Sequence, residues 1–344
     1  MRVEAEKQMP SEWSEINGFA YQPAPDALWR HAPTPLAACY NVLGVPLEVQ
    51  TNAPRIAELA EAFYGDWRAV EAESTQRKRL CLYLHDAPEE TPDAASVPLV
   101  RMQGAILMVS LGGSLGFADA TAGFGAAFLT PGLLANPALA TMLTLECLGL
   151  YLVCCERPAP LHAAGLVHQG RCVLLTGGSG AGKSTLAYAC LRAGFGLLAE
   201  DIVYAEPGGE TVTVWGWPWS LHLLPDAVRF FPELENAERI QKINGETKLR
   251  VAVNRVRPGA AVPKMPVWGV CSLGRAEDAA SRLRPADPNV LCRTLTHFAG
   301  DPPLDRQAME AATERLLAGR LAHLAMGTDL DAAAGALCRW IETG

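Results

Sequence analysis

The chain has 344 residues, of which 49% are hydrophobic and 19% are charged, a composition typical of globular proteins and long enough for two domains. Its formal net charge of -8 argues against a broad surface for DNA or RNA, so nucleic acid is not an expected partner. The ten cysteines include no C-x-x-C pair, which favours buried thiols in a reducing compartment over a disulfide framework or a zinc site.

The first part of the chain predicts an α+β unit. Residues 46–51 and 79–85 have the pattern of strands, and 55–67 that of an amphipathic helix between them. A Pro- and Asp-rich connector occupies 86–97, and residues 104–130 predict strands separated by glycine turns. The segment contains no cluster of catalytic residue types, so we infer a role in scaffolding, acceptor recruitment or homo-oligomer formation.

Residues 137–155 form an apolar stretch close to the length of a membrane span. It contains Thr141, Thr144 and a central Glu146, and a lone carboxylate is costly in lipid, so the sequence predicts a buried helix rather than a span. Residues 1–18 alternate in charge and polarity without the apolar core of a secretory signal. The expected location is the cytoplasm.

A domain boundary is predicted within 155–165, where Pro158 and Pro160 interrupt helical periodicity. The resulting division is an accessory domain of residues 1–155 and a second domain of residues 156–344. The pattern of the second domain predicts a buried strand within 166–176, a helix at 183–194 that is ended by Gly194, and a strand–turn–strand unit at 195–217. It then predicts a closing strand at 267–275 and helices at 303–319 and 330–342.

Residues 177–184 read GGSGAGKS and satisfy G-x-x-x-x-G-K-[ST] between a predicted strand and a predicted helix. Glycines let backbone amides close around phosphate oxygens, and the following helix start adds free N–H groups. Lys183 is expected to reach the β- and γ-phosphates and Ser184 to help hold Mg²⁺. The predicted nucleotide-binding residues are Gly177, Gly178, Ser179, Gly180, Ala181, Gly182, Lys183, Ser184 and Thr185.

Two adjacent acids, Glu200 and Asp201, stand seventeen and eighteen positions after Lys183. They follow an apolar run, and we expect them at the end of a strand adjacent to the strand that leads into the loop, with their carboxylates near the γ-phosphate. A phosphotransferase needs one carboxylate to orient or deprotonate a hydroxyl and another to hold the metal. The two adjacent acids are therefore predicted to supply both of these carboxylates.

The run from Leu161 to Asp201 resembles the catalytic core of the bacterial HPr serine kinase/phosphorylase family, in particular its HPr-kinase-like relatives, some of which accompany lasso and other ribosomal peptide pathways. The likeness covers about forty residues and continues more loosely through 218–234 and Lys248. It implies an α/β fold with a P-loop, HPr-kinase-like (phosphoenolpyruvate-carboxykinase-like) catalytic domain after an N-terminal α+β domain. The implied cofactors are ATP and Mg²⁺.

The resemblance also implies roles for single residues. Glu200 matches the acceptor-side acid, Asp201 the acid associated with metal and phosphate, and His162 the active-site histidine. The family's usual pair is Asp-Asp, and its bifunctional members commonly carry Glu at the position of Thr185. Because the signature of phosphorolysis is also missing, the resemblance implies a kinase alone, with Lys183 among its catalytic residues.

The predicted activity is transfer of the γ-phosphate of ATP to a serine or threonine hydroxyl of a peptide or small protein. Two alternatives stay open: a kinase of a small hydroxy metabolite such as free serine, and a nucleotide-binding regulatory module without catalysis. Lys248 is a candidate contact for phosphate or acceptor. Trp215, Trp217 and Trp219 alternate, which fits either core packing, the favoured interpretation, or a surface for a peptide or adenine.

Overall fold

The computed structural model describes residues 33–85, 98–157, 159–206, 209, 211–241, 245–276, 280–297 and 306–344. The predicted connector at 86–97, the segment 1–18 and Pro158 lie outside the described residues. Within them the fold is mixed α/β, with two large sheets and one small sheet.

The N-terminal sheet has seven described strands in the order β1-β2-β3-β7-β6-β5-β4. Their bounds are β1 Leu36–Val42, β2 Val45–Thr51, β3 Lys78–Leu84, β4 Leu99–Gln103, β5 Ile106–Leu111, β6 Ser114–Asp119 and β7 Phe124–Leu129. Helix α1 (Pro54–Tyr64) connects β2 to β3, which pair in parallel, as a crossover helix allows. A 3₁₀ turn, Gly65–Ala69, follows α1. The strands and helix predicted between residues 46 and 130 are confirmed.

The apolar stretch is helical and follows the short helix α2 (Pro131–Leu134). It runs through α3 (Pro137–Thr141), a π-helical segment (Met142–Gly149) and α4 (Leu150–Cys154). Among the described residues it is the one helix whose length and composition would suit a membrane span, and half of it is buried inside the protein. Leu143, Leu148 and Leu152 are fully buried in the N-terminal core, which gives this helix the packing of a core element.

The C-terminal part holds a nine-stranded sheet and a three-stranded sheet. The large sheet contains β8 (Ala159–His162), β9 (Ala164–His168), β10 (Arg171–Thr176), β11 (Gly196–Ala199), β12 (Ile202–Ala205), β13 (Thr213–Gly216), β17 (Lys264–Arg275), β18 (Arg282–Arg284) and β19 (Arg320–Met326). The small sheet contains β14 (Ser220–Leu223), β15 (Glu238–Gln241) and β16 (Thr247–Ala252), in the order β14-β16-β15.

The helices of this part are α5 (Lys183–Arg192), α6 (Val253–Val256), α7 (Pro288–Leu295), α8 (Arg306–Leu317) and α9 (Leu330–Thr343), with 3₁₀ turns at Pro225–Arg229 and Pro232–Asn236. Neighbouring leucines of β10 point to opposite faces of the sheet. Leu175 packs in the core that α5 and α9 share, and Leu174 packs with α7 and α8. Helices therefore cover both faces of the central parallel strands.

Strands β10, β17 and β19 lie side by side and run parallel, so their carboxyl ends meet at one edge of the sheet. The large sheet continues on one side as β10-β9-β11 and on the other as β17-β13-β12-β8. The loop at residues 177–182 leaves β10 at this edge. This is the edge at which open α/β sheets hold their ligands.

The position predicted for the acidic pair is corrected in one respect. The run 195–206 forms two strands, β11 and β12, and Glu200 and Asp201 occupy the break between them. Strand β11 pairs with β9, which separates it from β10, so the acids do not end a strand adjacent to the loop strand. The break lets β12 pair with β8 and β13 instead, on the other arm of the sheet.

The three alternating tryptophans pack against the N-terminal unit. Trp215 is 2% exposed, and a Cβ on Gly44 would meet its ring at 2.5 Å. The ring of Trp67 lies 5.3 Å from that of Trp217 and 5.8 Å from that of Trp219. These contacts agree with core packing, the interpretation favoured from the sequence.

Candidate active site

The glycine-rich loop connects β10 to α5 and folds over its own lysine. Gly182 caps α5 with a φ of 94°, and Gly180 has a φ of 75°, which are left-handed values that favour glycine. Lys183 is 8% exposed, and its Nζ donates a hydrogen bond to the carbonyl of Gly177 at 3.0 Å. The lysine ammonium is therefore held under the loop backbone.

Glu200 is fixed by partners on both carboxylate oxygens. Its Oε1 accepts a hydrogen bond from Ser184 Oγ at 3.2 Å, and its Oε2 accepts the backbone N–H of His222 at 2.8 Å. The same oxygen lies 2.7 Å from His222 Nδ1. With its side chain 13% exposed, Glu200 is a partly buried, oriented carboxylate beside the serine of the loop motif.

Asp201 has a different environment. Its Oδ1 lies 3.0 Å from His162 Nε2 and 3.9 Å from Lys183 Nζ, while its side chain remains 60% exposed. The hydrogen bond with His162 is the main cause that lowers the pKa of Asp201, although burial opposes it; the charges of His162, Lys183 and Lys248 lower it further. Asp201 is thus an ionised carboxylate that an incoming molecule can reach.

Strand pairing explains why residues 39 positions apart meet here. His162 is the last residue of β8 and lies opposite Ile202 of β12, the residue that follows Asp201. Thr176 Oγ1 donates a hydrogen bond to the carbonyl of His162 at 3.0 Å, which ties the end of β8 to the end of β10. The histidine is therefore anchored next to the start of the loop.

Two lysines and an arginine add positive charge to the site. Burial is the main cause that lowers the pKa of Lys183; the charge of Asp201 opposes this shift, and that of Lys248 adds to it. Lys248, in β16, forms an ion pair with Glu246 at 3.4 Å. Arg275, at the end of β17, donates to the carbonyl of Gly180 at 3.4 Å. This charge suits a polyanionic ligand.

The structure brings together the loop, Lys183, Ser184, Glu200, Asp201 and His162, all of which the sequence singles out. Thr185 lies in the first turn of α5, and Lys248 acts on the site through its charge. Sequence reasoning missed His222. The only signal was the alternation in SLHL, which predicts a strand with His222 on the face opposite the buried Leu221 and Leu223.

The donors in this site fit a magnesium nucleotide. A hydroxyl and two carboxylates are the hard oxygen ligands that Mg²⁺ prefers, and they lie at the start of α5, whose first-turn amides have no partner within the helix. A Cβ on Gly178 or Gly180 would meet no atom within 4 Å, so the space over these two residues is open. Phosphate oxygens can occupy that space.

Comparisons with known proteins assign no family. No family model matches the chain, and no curated protein matches it. Among solved structures, the HPr(Ser) kinase/phosphatase from Coxiella burnetii is similar to this chain at 15% sequence identity and a TM-score of 0.29, over 54% of this chain and 99% of that chain. A TM-score this low carries no assignment, so the function rests on the residues of the site.

Proposed function

We propose that the protein is a phosphotransferase that uses Mg-ATP to phosphorylate a serine or threonine hydroxyl of a peptide or small protein. The observation that carries the proposal is the convergence of Lys183, Asp201 and His162 at the phosphate loop, with Glu200 bonded to Ser184. A nucleotide-binding module without catalysis needs the loop alone. An exposed carboxylate supported by a histidine is the group that a hydroxyl acceptor requires.

The loop and Lys183 hold the phosphates. Bound ATP with Mg²⁺ supplies the phosphoryl group for transfer and neutralises part of its charge. Lys183 has to leave its hydrogen bond with the carbonyl of Gly177 and turn towards the phosphates. Because this ammonium is already buried, its attraction to the developing negative charge is screened less than it would be in water.

The geometry supports a division of roles opposite to the one that the family resemblance implies. Glu200 is partly buried and accepts a hydrogen bond from Ser184, the expected Mg²⁺ ligand, so we assign Glu200 to the metal side. Asp201 is exposed and faces Lys183, so we assign it to the acceptor hydroxyl as the general base. His162 then positions Asp201 through their 3.0 Å contact.

A macromolecular acceptor is supported by the exposure of the base and by the resemblance to a protein-serine kinase family. Asp201 is 60% exposed, so a hydroxyl presented on a peptide segment can reach it without entering a closed cavity. The same proposal places the protein in the cytoplasm, where ATP is available.

The test is to incubate the protein and Mg-ATP with serine- and threonine-containing peptides, with small carrier proteins and with free serine. Mass spectrometry is expected to find one added phosphate on a peptide or protein, and fragmentation to place it on a hydroxyl. Efficient phosphorylation of free serine with every peptide unchanged would replace the proposal by a metabolite kinase. Binding of ATP without any transfer would leave a regulatory module.

A further inference from the structure

A second cluster of reactive side chains lies away from the loop, where α9 packs beside the β9–β10 hairpin. Cys338 Sγ lies 3.3 Å from His168 Nε2 and 3.4 Å from Glu342 Oε1. His168 Nε2 also lies 3.5 Å from Glu342 Oε1, so each of the three atoms is close to the other two. The three potential ligand atoms thus form a nearly equilateral triangle.

This triangle has the dimensions of one face of a zinc tetrahedron. Zinc bonds of roughly 2.3 Å to sulfur and 2.0–2.2 Å to nitrogen and oxygen place tetrahedral ligand atoms about 3.5–3.7 Å apart when one is sulfur and about 3.3–3.6 Å apart when neither is. The separation of 3.5 Å between His168 and Glu342 falls in its range, and the two separations from sulfur, 3.3 and 3.4 Å, are slightly shorter than theirs. A chain of hydrogen bonds would need only two of these three atom pairs to be close. One ion bound by all three atoms requires every pair to be close, as is the case here.

We propose that His168, Cys338 and Glu342 bind a zinc ion, with water as the fourth ligand. Thiolate and imidazole ligands select zinc over magnesium, so this site is chemically distinct from the oxygen-rich one at the loop. Glu342 is 42% exposed and His168 is 15% exposed, so an ion can enter from solvent.

The backbone holds the ligands in place. Cys338 and Glu342 are four residues apart on α9 and share one face of that helix. His168 ends β9, and its ring stacks on Phe195 with centroids 4.4 Å apart, which fixes its orientation. Gln169 Nε2 donates to Glu342 Oε1 at 3.0 Å, the kind of outer contact that orients a metal-binding carboxylate.

The ion would join the C-terminal helix to the hairpin that leads into the phosphate loop. His168 and Cys338 are 170 residues apart in sequence, so no local spacing signals the site. This is why the scattered cysteines predict no zinc site when the sequence is considered alone. The role that the position supports is structural, fixing α9 against β9 near the amino end of β10, whereas the loop follows its carboxyl end.

Binding of zinc is expected to release a proton. Zinc binds the thiolate, so the thiol proton of Cys338 passes to solvent as the Zn–S bond forms.

The test uses the full chain, freed of metal by dialysis against a chelator and titrated with Co²⁺ alone as a spectroscopic probe and with Zn²⁺ as competitor. We expect one Co²⁺ per chain with a thiolate-to-cobalt charge-transfer band, and its loss when Zn²⁺ is added. Cys338→Ser should lose the band. Cys39→Ser, which removes an exposed cysteine in β1, should keep it.

Two further variants separate loss of the site from loss of the fold. Glu342→Ala changes a half-exposed side chain and should weaken cobalt binding with the circular dichroism spectrum unchanged. Gln169→Ala keeps all three ligands and should weaken it about tenfold or more. A folded wild-type chain that shows no charge-transfer band, or a band equally strong in Cys338→Ser, would overturn the proposal.

Discussion

Glu200 and Asp201 are adjacent and carry the same charge, but their different surroundings suit them to different roles. Glu200 is partly buried and hydrogen-bonded on both oxygens, whereas Asp201 is exposed and hydrogen-bonded to His162. A metal ligand needs a fixed orientation, and a general base needs access to the acceptor hydroxyl. Burial and partners therefore separate the roles, although the sequence places the residues side by side.

The division of roles predicts different defects for two isosteric changes. Asp201→Asn should bind Mg-ATP as the wild type does and transfer phosphate at least about a hundredfold more slowly, the lower range for loss of a positioned base. Glu200→Gln should instead raise the Mg²⁺ concentration needed for half-maximal activity. The measurement is the rate of transfer as a function of Mg²⁺ for both variants. A Glu200→Gln variant with a normal Mg²⁺ requirement and no transfer would exchange the two roles.

The contact with His162 predicts the direction of a pKa change. The pKa of Asp201 lies below its ordinary value of 3.8, so this group stabilises the fold fully above that value and ceases to do so as pH falls through its folded pKa. His162→Ala should raise the pKa of Asp201. The measurement is the carboxyl ¹³C titration of Asp201, assigned with Asp201→Asn, and an unchanged midpoint in His162→Ala would show that the contact has no such effect.

At the scale of elements, the sequence predicts segments whose signal is local. The G-x-x-x-x-G-K spacing requires only neighbouring residues, and the loop stands where expected, between β10 and α5. The break between β11 and β12 has no local signal, because apolar residues continue on both sides of Glu200 and Asp201. It depends on pairing with the distant strands β9 and β8. The sequence pattern did not predict the three-residue strand β18, the seven-residue strand β19 or the helix α7.

The contact between Glu200 and His222 could not be predicted for the same reason. It depends on how the small sheet packs against α5 and on where β14 begins after Trp219. The expectation that His162 belongs to the site came from the family resemblance alone, and its role there stays a prediction. Site residues that lie within one loop are therefore predictable, and those brought together by sheet topology require the structure.

The loop conformation predicts unequal effects for two glycine substitutions. Gly182→Ala places a side chain at a φ of 94°, at a cost of about 1–2 kcal/mol, and its Cβ would approach Met326 Cε to 2.6 Å. Gly259→Ala is the matched control, because Gly259 is also left-handed, with a φ of 75°, lies outside the loop, and an added Cβ would meet no atom of the described residues within 4 Å. Thermal stabilisation by Mg-ATP should fall sharply in the first variant and little in the second. Equal losses would mean that the loop does not need the left-handed residue.

At the scale of the whole molecule, the two large sheets share no strand and meet through aromatic side chains. Trp217 packs between Phe63 and Trp67 of the N-terminal unit, with ring centroids 5.3 Å from each. Arg157 adds a hydrogen bond to the carbonyl of Leu43 at 2.8 Å. The predicted division into domains 1–155 and 156–344 stays a prediction, and this contact makes their stabilities interdependent.

Because Trp217 lies in this interface, we expect Trp217→Ala to let the N-terminal and C-terminal parts unfold separately. The change should cost about 3 kcal/mol, the lower range for deleting a large aromatic side chain. Trp340→Ala is the control, because Trp340 contacts Trp268 edge to face within the C-terminal part, with ring centroids 5.0 Å apart. Scanning calorimetry should show two separated transitions for Trp217→Ala and one for Trp340→Ala. A single transition in both would mean that the interface does not set the cooperativity of unfolding.

Transfer of the γ-phosphate to a hydroxyl by the loop and Asp201 together is tested most directly by following a γ-labelled phosphate. Wild-type protein, Lys183→Ala and Asp201→Asn are each mixed with Mg-ATP and a peptide acceptor identified by mass spectrometry. We expect label on the peptide hydroxyl with wild type, no label with Lys183→Ala because the nucleotide is lost, and a rate at least about a hundredfold lower with Asp201→Asn. Label released only as free phosphate, or transferred equally fast by Asp201→Asn, would contradict it.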